Sequence, residues 1–125
     1  MLRRMLAPLW IVTGVCMAAS AFAECDSVRG RQVFETKCTT CHTAAVGAAH
    51  AVGPNLHGVF GRKSATADGF NYSPALKALG FVWTRERLLE FLEDPPARVP
   101  GTFMAFTGVR RPADREALVC YLETL

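Results

Sequence analysis

Apolar residues recur at helical spacing along this chain, and no run of four or more alternates as a half-buried strand does. Gly30, Val33, Phe34 and Cys38 share one face of a first helix that Asp26 or Ser27 can cap. Ser73-Pro74 opens a short helix, with Pro at its first position and Gly80 beyond its end. Thr84 can cap a third helix carrying Leu88, Leu89, Phe91 and Leu92, which Pro95-Pro96 must stop. Pro112 opens the last helix, where Ala117, Leu118, Tyr121, Leu122 and Leu125 form an apolar stripe. The stretch from Thr43 to Gly69 holds five glycines in 27 residues and reads as loop, as does Val99 to Gly108. The predicted class is all-α, in one domain without repeats.

One apolar run has a different character. Met5 to Ala23 is nineteen residues without a charge, preceded by Arg3 and Arg4 and ending in Ala21-Phe22-Ala23. That pattern predicts a secretory signal peptide over residues 1–23, cleaved after Ala23, and a single domain over 24–125. The alternative is an uncleaved N-terminal membrane anchor, which Pro8, Gly14 and Ser20 weaken. Losing Arg3 and Arg4 takes the formal charge from +3 to +1, too little for a nucleic-acid footprint. Cys16 leaves with the signal, so Cys25, Cys38, Cys41 and Cys120 remain in an oxidising compartment.

Cys38-Thr39-Thr40-Cys41-His42 is a C-x-x-C-H run. Two thiols at this spacing can add to the two vinyl groups of one haem, holding the adjacent His42 under the iron. A thioredoxin-like redox pair would want a βαβ pattern around it, and none is visible. Structural zinc would need four ligands, and the other candidates are distant. A plain Cys38–Cys41 disulfide is the remaining alternative. Outside the presumed signal the only methionine is Met104, in the loop Pro100-Gly101-Thr102-Phe103-Met104. A lone Met is commonly core filler. Beside a C-x-x-C-H run it is a candidate sixth ligand, favouring ferrous iron and closing the site to oxygen.

Several further blocks occur in order: Gly53-Pro54-Asn55-Leu56-His57-Gly58, Phe60-Gly61-Arg62-Lys63, Gly69-Phe70-x-Tyr72, Trp83, Leu92-Glu93-x-Pro95, Pro100-Gly101-Thr102-x-Met104, and Leu118-x-x-Tyr121-Leu122. With Gly30, Phe34 and C-x-x-C-H, they resemble class I cytochrome c, mitochondrial-type and its soluble bacterial periplasmic relatives. The resemblance implies an all-α fold of three to five helices packed around one covalent haem c. It implies attachment through Cys38 and Cys41, with His42 and Met104 as iron ligands. Pro54 would accept the free ring N–H of His42. Tyr72, Trp83 and Arg62 would face the propionates, and Thr102 joins them in the cofactor site. His50 and His57 look like loop or surface residues. Phe91 stands where many relatives carry Tyr. Cys25 and Cys120 are extra to the family pattern; they lie near helices that meet in its fold, so either a disulfide or two separate thiols is expected there.

The resemblance further implies a monomeric, periplasmic one-electron carrier rather than an enzyme. Its partners would be larger redox complexes of the cytochrome reductase and oxidase or reaction-centre type. The alternatives are a dedicated electron-transfer subunit of a haem-containing enzyme complex and a haem-free thiol-redox module. The lysines that ring the haem edge in mitochondrial relatives are thinned here. Arg98 stands alone between Pro95 and Phe103, with Lys37, Arg110 and Arg111 elsewhere. Weaker electrostatic steering is expected.

Overall fold

The computed structural model describes residues 25–125, so the expected signal segment lies outside the described residues. Five helices follow in order: α1 (Ser27–Lys37), α2 (Pro74–Lys77), α3 (Arg85–Glu93), α4 (Pro95–Arg98) and α5 (Pro112–Leu122). Among the described residues the one β-type pairing is an isolated antiparallel bridge between Lys63 and Val82. None of the described helices is long and apolar enough to cross a membrane.

Short polar side chains start the helices. Asp26 accepts the Arg29 N–H at 2.9 Å, Ser73 the Leu76 N–H at 3.1 Å, and Thr84 the Arg87 N–H at 3.4 Å. Pro95 stops α3 as expected. It also occupies the first position of α4, which Asp94 caps, because a proline that cannot continue one helix is well suited to begin another.

The terminal helices α1 and α5 make the most extensive helix contact, and α5 packs also against α3. Gly30 makes the close approach possible: a Cβ there would lie 1.9 Å from the Ala117 carbonyl oxygen. Phe34 and Tyr121 fill the next layer, with ring centroids 5.3 Å apart. Arg29 Nε donates to Asp114 at 2.8 Å across the same seam. A disulfide joins Cys25 to Cys120, their Cα atoms 5.5 Å apart. Of the two expectations for these cysteines, the bridge is the one found. The apolar stripe expected on α5 is too narrow: Val119 and Cys120 are also buried, since the helix is covered from two sides.

Candidate functional site

The first helix delivers its C-terminal end to the site. Cys38 caps α1 through its N–H to the Phe34 carbonyl, and the N–H groups of Cys41 and His42 both turn back to the Cys38 carbonyl, at 3.0 and 2.8 Å. This tight turn places Cys38, Cys41 and His42 along one wall of a cleft of about 270 Å³. All nine residues singled out from the sequence line that cleft: Cys38, Cys41, His42, Pro54, Arg62, Tyr72, Trp83, Thr102 and Met104. They come from six separate chain segments. Leu88, Phe91 and Leu92 of α3 supply apolar lining.

His42 is buried, and its Nδ1 lies 2.8 Å from the Pro54 carbonyl oxygen. A carbonyl only accepts, so Nδ1 carries the proton and Nε2 keeps its lone pair. Burial holds the imidazolium below its ordinary range, with the Pro54 hydrogen bond pulling the other way. A neutral ring with a fixed tautomer is the form that binds a metal.

Gly53 is a site residue for which sequence reasoning supplied no role. A Cβ on it would lie 2.3 Å from His42 Cε1 and 2.6 Å from Nδ1. Its N–H donates to the Cys41 carbonyl at 2.7 Å, so the 53–54 backbone is clamped flat against the imidazole. Asn55 is the second omission. Buried, its amide donates to Thr43 Oγ1 at 2.9 Å and to the Ala45 and Ala48 carbonyls at 3.0 and 3.2 Å. That side chain gathers the glycine-rich loop and holds Pro54 in place. The Gly53-Pro54-Asn55 run was visible in the sequence, but the sequence does not say what each residue faces.

Burial pushes the Cys38 thiol up to about 11. Such a thiol stays protonated at neutral pH and is a poor nucleophile for thiol–disulfide exchange. Cys38 and Cys41 are also not bonded to each other. Two thiols, a neutral imidazole nitrogen and a thioether gathered in one largely apolar cleft form a donor set that fits a covalently attached haem.

The remaining residues have partners of their own. Tyr72 is buried and its hydroxyl oxygen accepts the Ala67 N–H at 3.2 Å, leaving its proton free to donate. Arg62 donates to the His57 and Asn55 carbonyls, at 3.1 and 3.3 Å. Trp83 and Phe91 are in tilted ring contact, centroids 5.1 Å apart. The Met104 N–H reaches Thr102 Oγ1 at 3.3 Å, and the Val109 N–H ties the end of that loop to the Leu92 carbonyl at 2.7 Å. His50 lies outside the cleft lining and both its ring nitrogens are occupied, by the Asn55 N–H at 2.9 Å and the Asp68 carbonyl at 2.7 Å. It is a loop brace, as expected.

The cleft rim is apolar on one side, with Val52 79% and Phe103 67% exposed. Arg98 pairs with Glu93, Arg110 with Asp94 at 3.0 Å, and Arg111 with Asp114 at 3.6 Å, but Glu93 is shared with Arg115 and Asp114 with Arg29. The Arg98 guanidinium holds the Glu93 carboxyl below its usual range.

The family model described as Cytochrome c matches residues 27–125. A cytochrome c of Stellaria longipes is 43% identical over 102 residues, covering 82% of this chain and 94% of that relative. A cytochrome c of Cochliobolus lunatus is 42% identical over 102 residues, with the same coverage. A cytochrome c of Ginkgo biloba is 44% identical over 98 residues, 78% of this chain and 87% of that relative.

Proposed function

Because this chain belongs to the cytochrome c family, and so to haem-binding electron carriers rather than enzymes, we propose that it carries one haem c through Cys38 and Cys41 and shuttles single electrons between larger redox complexes in the periplasm. The observation that carries this reading is the convergence of Cys38, Cys41, His42 and Met104 on one cleft, the first three from the turn that ends α1 and Met104 from the loop between α4 and α5. Haem bound there supplies the Fe(III)/Fe(II) couple.

The chain's own residues orient and insulate. The Pro54 carbonyl and the Gly53 backbone fix the plane and tautomer of His42, so Nε2 would be the atom with a lone pair to offer the iron. Met104, on a loop anchored to α3, would offer its thioether to the iron. Tyr72, Trp83 and Arg62 would offer hydrogen-bond donors and positive charge to the haem propionates, and Thr102 holds the start of the Met104 turn. Leu88, Phe91 and Leu92 make the cleft lining apolar and would keep water from a bound haem. The periplasmic location rests on the charge-free run from Met5 to Ala23 behind Arg3 and Arg4.

Extraction tests the attachment directly. Haem should stay with the wild-type chain in acidified acetone and leave the Cys38→Ala/Cys41→Ala variant; extractable wild-type haem ends the reading. The near-neutral charge and the apolar Val52–Phe103 rim set a second expectation. Electron transfer to an isolated partner complex should change less than about threefold across an approximately tenfold range of ionic strength, because the formal charge left after the expected signal is only +1. Stopped-flow rates that fall steeply with salt would show that an unneutralised basic patch steers docking.

A further inference from the structure

The bridge between the chain ends has an asymmetry that electron carriage does not use. Cys25 is exposed, whereas Cys120 is 3% exposed. The bridge sits against the Arg85–Glu123 ion pair: a Glu123 carboxylate oxygen lies within 4.8 Å of both sulfurs, while the Arg85 contacts go to Cys120. Two guanidinium nitrogens of Arg85 lie 3.5 and 3.7 Å from Cys120 Sγ. A carboxylate oxygen of Glu123 lies 3.8 Å from Cys25 Sγ. Arg85 is held in this position by Glu123 at 3.0 Å and Glu116 at 2.7 Å.

We propose that the Cys25–Cys120 disulfide is a directional thiol-exchange site, at which an external thiolate attacks Cys25 and Cys120 leaves. Only the Cys25 end is open to an approaching sulfur. Cleavage puts the departing electron pair on one of the two protein sulfurs. On Cys120 that charge meets the Arg85 N–H groups; on Cys25 it would meet the Glu123 carboxylate. A leaving thiol whose anion is stabilised leaves faster.

The exchange balances in two steps. The incoming thiolate forms a new S–S bond to Cys25 Sγ as the Cys25–Cys120 bond breaks, and Cys120 departs as thiolate against Arg85. A monothiol such as glutathione stops there, as a mixed disulfide on Cys25. A protein dithiol continues: its second thiol attacks the partner sulfur of that mixed disulfide, releasing Cys25. The partner's two thiols are then oxidised to a disulfide, and their protons end on Cys25 and, through solvent, on Cys120. The Arg29–Asp114 pair and the Gly30–Ala117 contact lie outside the bridge and keep α1 on α5 after it opens.

The test uses the matured full-length protein, treated with glutathione, quenched with iodoacetamide and mapped by peptide mass. The expected product carries glutathione on Cys25 and the alkyl group on Cys120. Arg85→Gln should slow exchange roughly threefold to tenfold and Arg85→Lys should restore most of it, while Glu123→Gln should speed it. These opposite signs separate the proposal from simple loosening. Both Gln substitutions break the same ion pair, so exchange limited by local opening would accelerate in both. That result overturns the proposal, as does glutathione found on Cys120 or shared equally between the two sulfurs. Should Arg85→Gln fail to fold, the wild-type adduct position still decides, because glutathione on Cys120 or on both sulfurs overturns the proposal. A dithiol protein such as a thioredoxin-type reductase should instead leave both cysteines alkylated and carry away the disulfide.

Discussion

Gly53→Ala is expected to displace the His42 ring and destabilise the protein by about 3 kcal/mol or more. The added methyl would sit 2.3 Å from Cε1 and within 2.8 Å of both ring nitrogens, so one side must move. The backbone resists: the Gly53 N–H is bonded to the Cys41 carbonyl and its own carbonyl accepts the Ala51 N–H at 3.0 Å. The imidazole yields instead and forfeits its 2.8 Å bond to Pro54. A buried ring nitrogen left without its acceptor adds about 1–3 kcal/mol to the steric cost. Urea unfolding measures the stability, and the visible spectrum of the haem-loaded variant should show a weakened low-spin signature. Gly47→Ala is the control. Gly47 has a positive φ of 69° but open space around it, so alanine there should cost only about 1 kcal/mol and leave the spectrum alone.

Gly30→Ala is the second large effect, and it acts on packing alone. Its Cβ would lie 1.9 Å from the Ala117 oxygen and 2.6 Å from that carbonyl carbon, so the obstacle is backbone that no rotamer change can clear. The terminal helices must part, exposing Phe34 and Tyr121, and a loss of about 3 kcal/mol is expected. The bridge at Cys25–Cys120 limits how far they part. In a Cys25→Ser/Cys120→Ala background, itself weaker by roughly 2–4 kcal/mol, Gly30→Ala should cost a different amount, because the two sites share one seam. A double-mutant cycle by urea denaturation reads that coupling; strict additivity would mean the bridge does not restrain the helices.

Much of this was written along the chain in residues whose effect is local. Asp26, Ser73, Thr84 and Pro112 mark helix starts because capping and proline chemistry act within one turn. Cys38, Cys41 and His42 are legible because their chemistry fixes their spacing. Met104 is legible because no other methionine competes outside the presumed signal. What stayed hidden depends on what a residue faces. Gly53 carries a negative-φ backbone that any residue could adopt, so its necessity lies in the neighbouring ring and not in its own conformation. Asn55 reads as an ordinary loop residue until the carbonyls of Ala45 and Ala48 are brought to it. Val119 and Cys120 fall off the apolar stripe of α5, and only the crossing of two other segments explains their burial. The α4 turn was missed because Pro95-Pro96 carries both a stop and a start signal, and the stop is the stronger habit.

With its ends joined between Cys25 and Cys120, the described chain is a closed covalent loop in which almost every residue lies inside the ring. A single cut in such a loop opens the ring without dividing the molecule. The exposed turn at Val46-Gly47, where Val46 is 78% exposed, is the natural place for a protease to make one. The piece ending at Val46 would keep Cys38, Cys41 and His42, while the piece beginning at Gly47 would keep Pro54 and Met104. The two halves of the cleft would then belong to different peptides, yet remain tethered at high effective concentration through the opposite side of the fold. Nicked at that turn, the protein is in effect a circular permutant of itself, with its original ends now serving as the internal link.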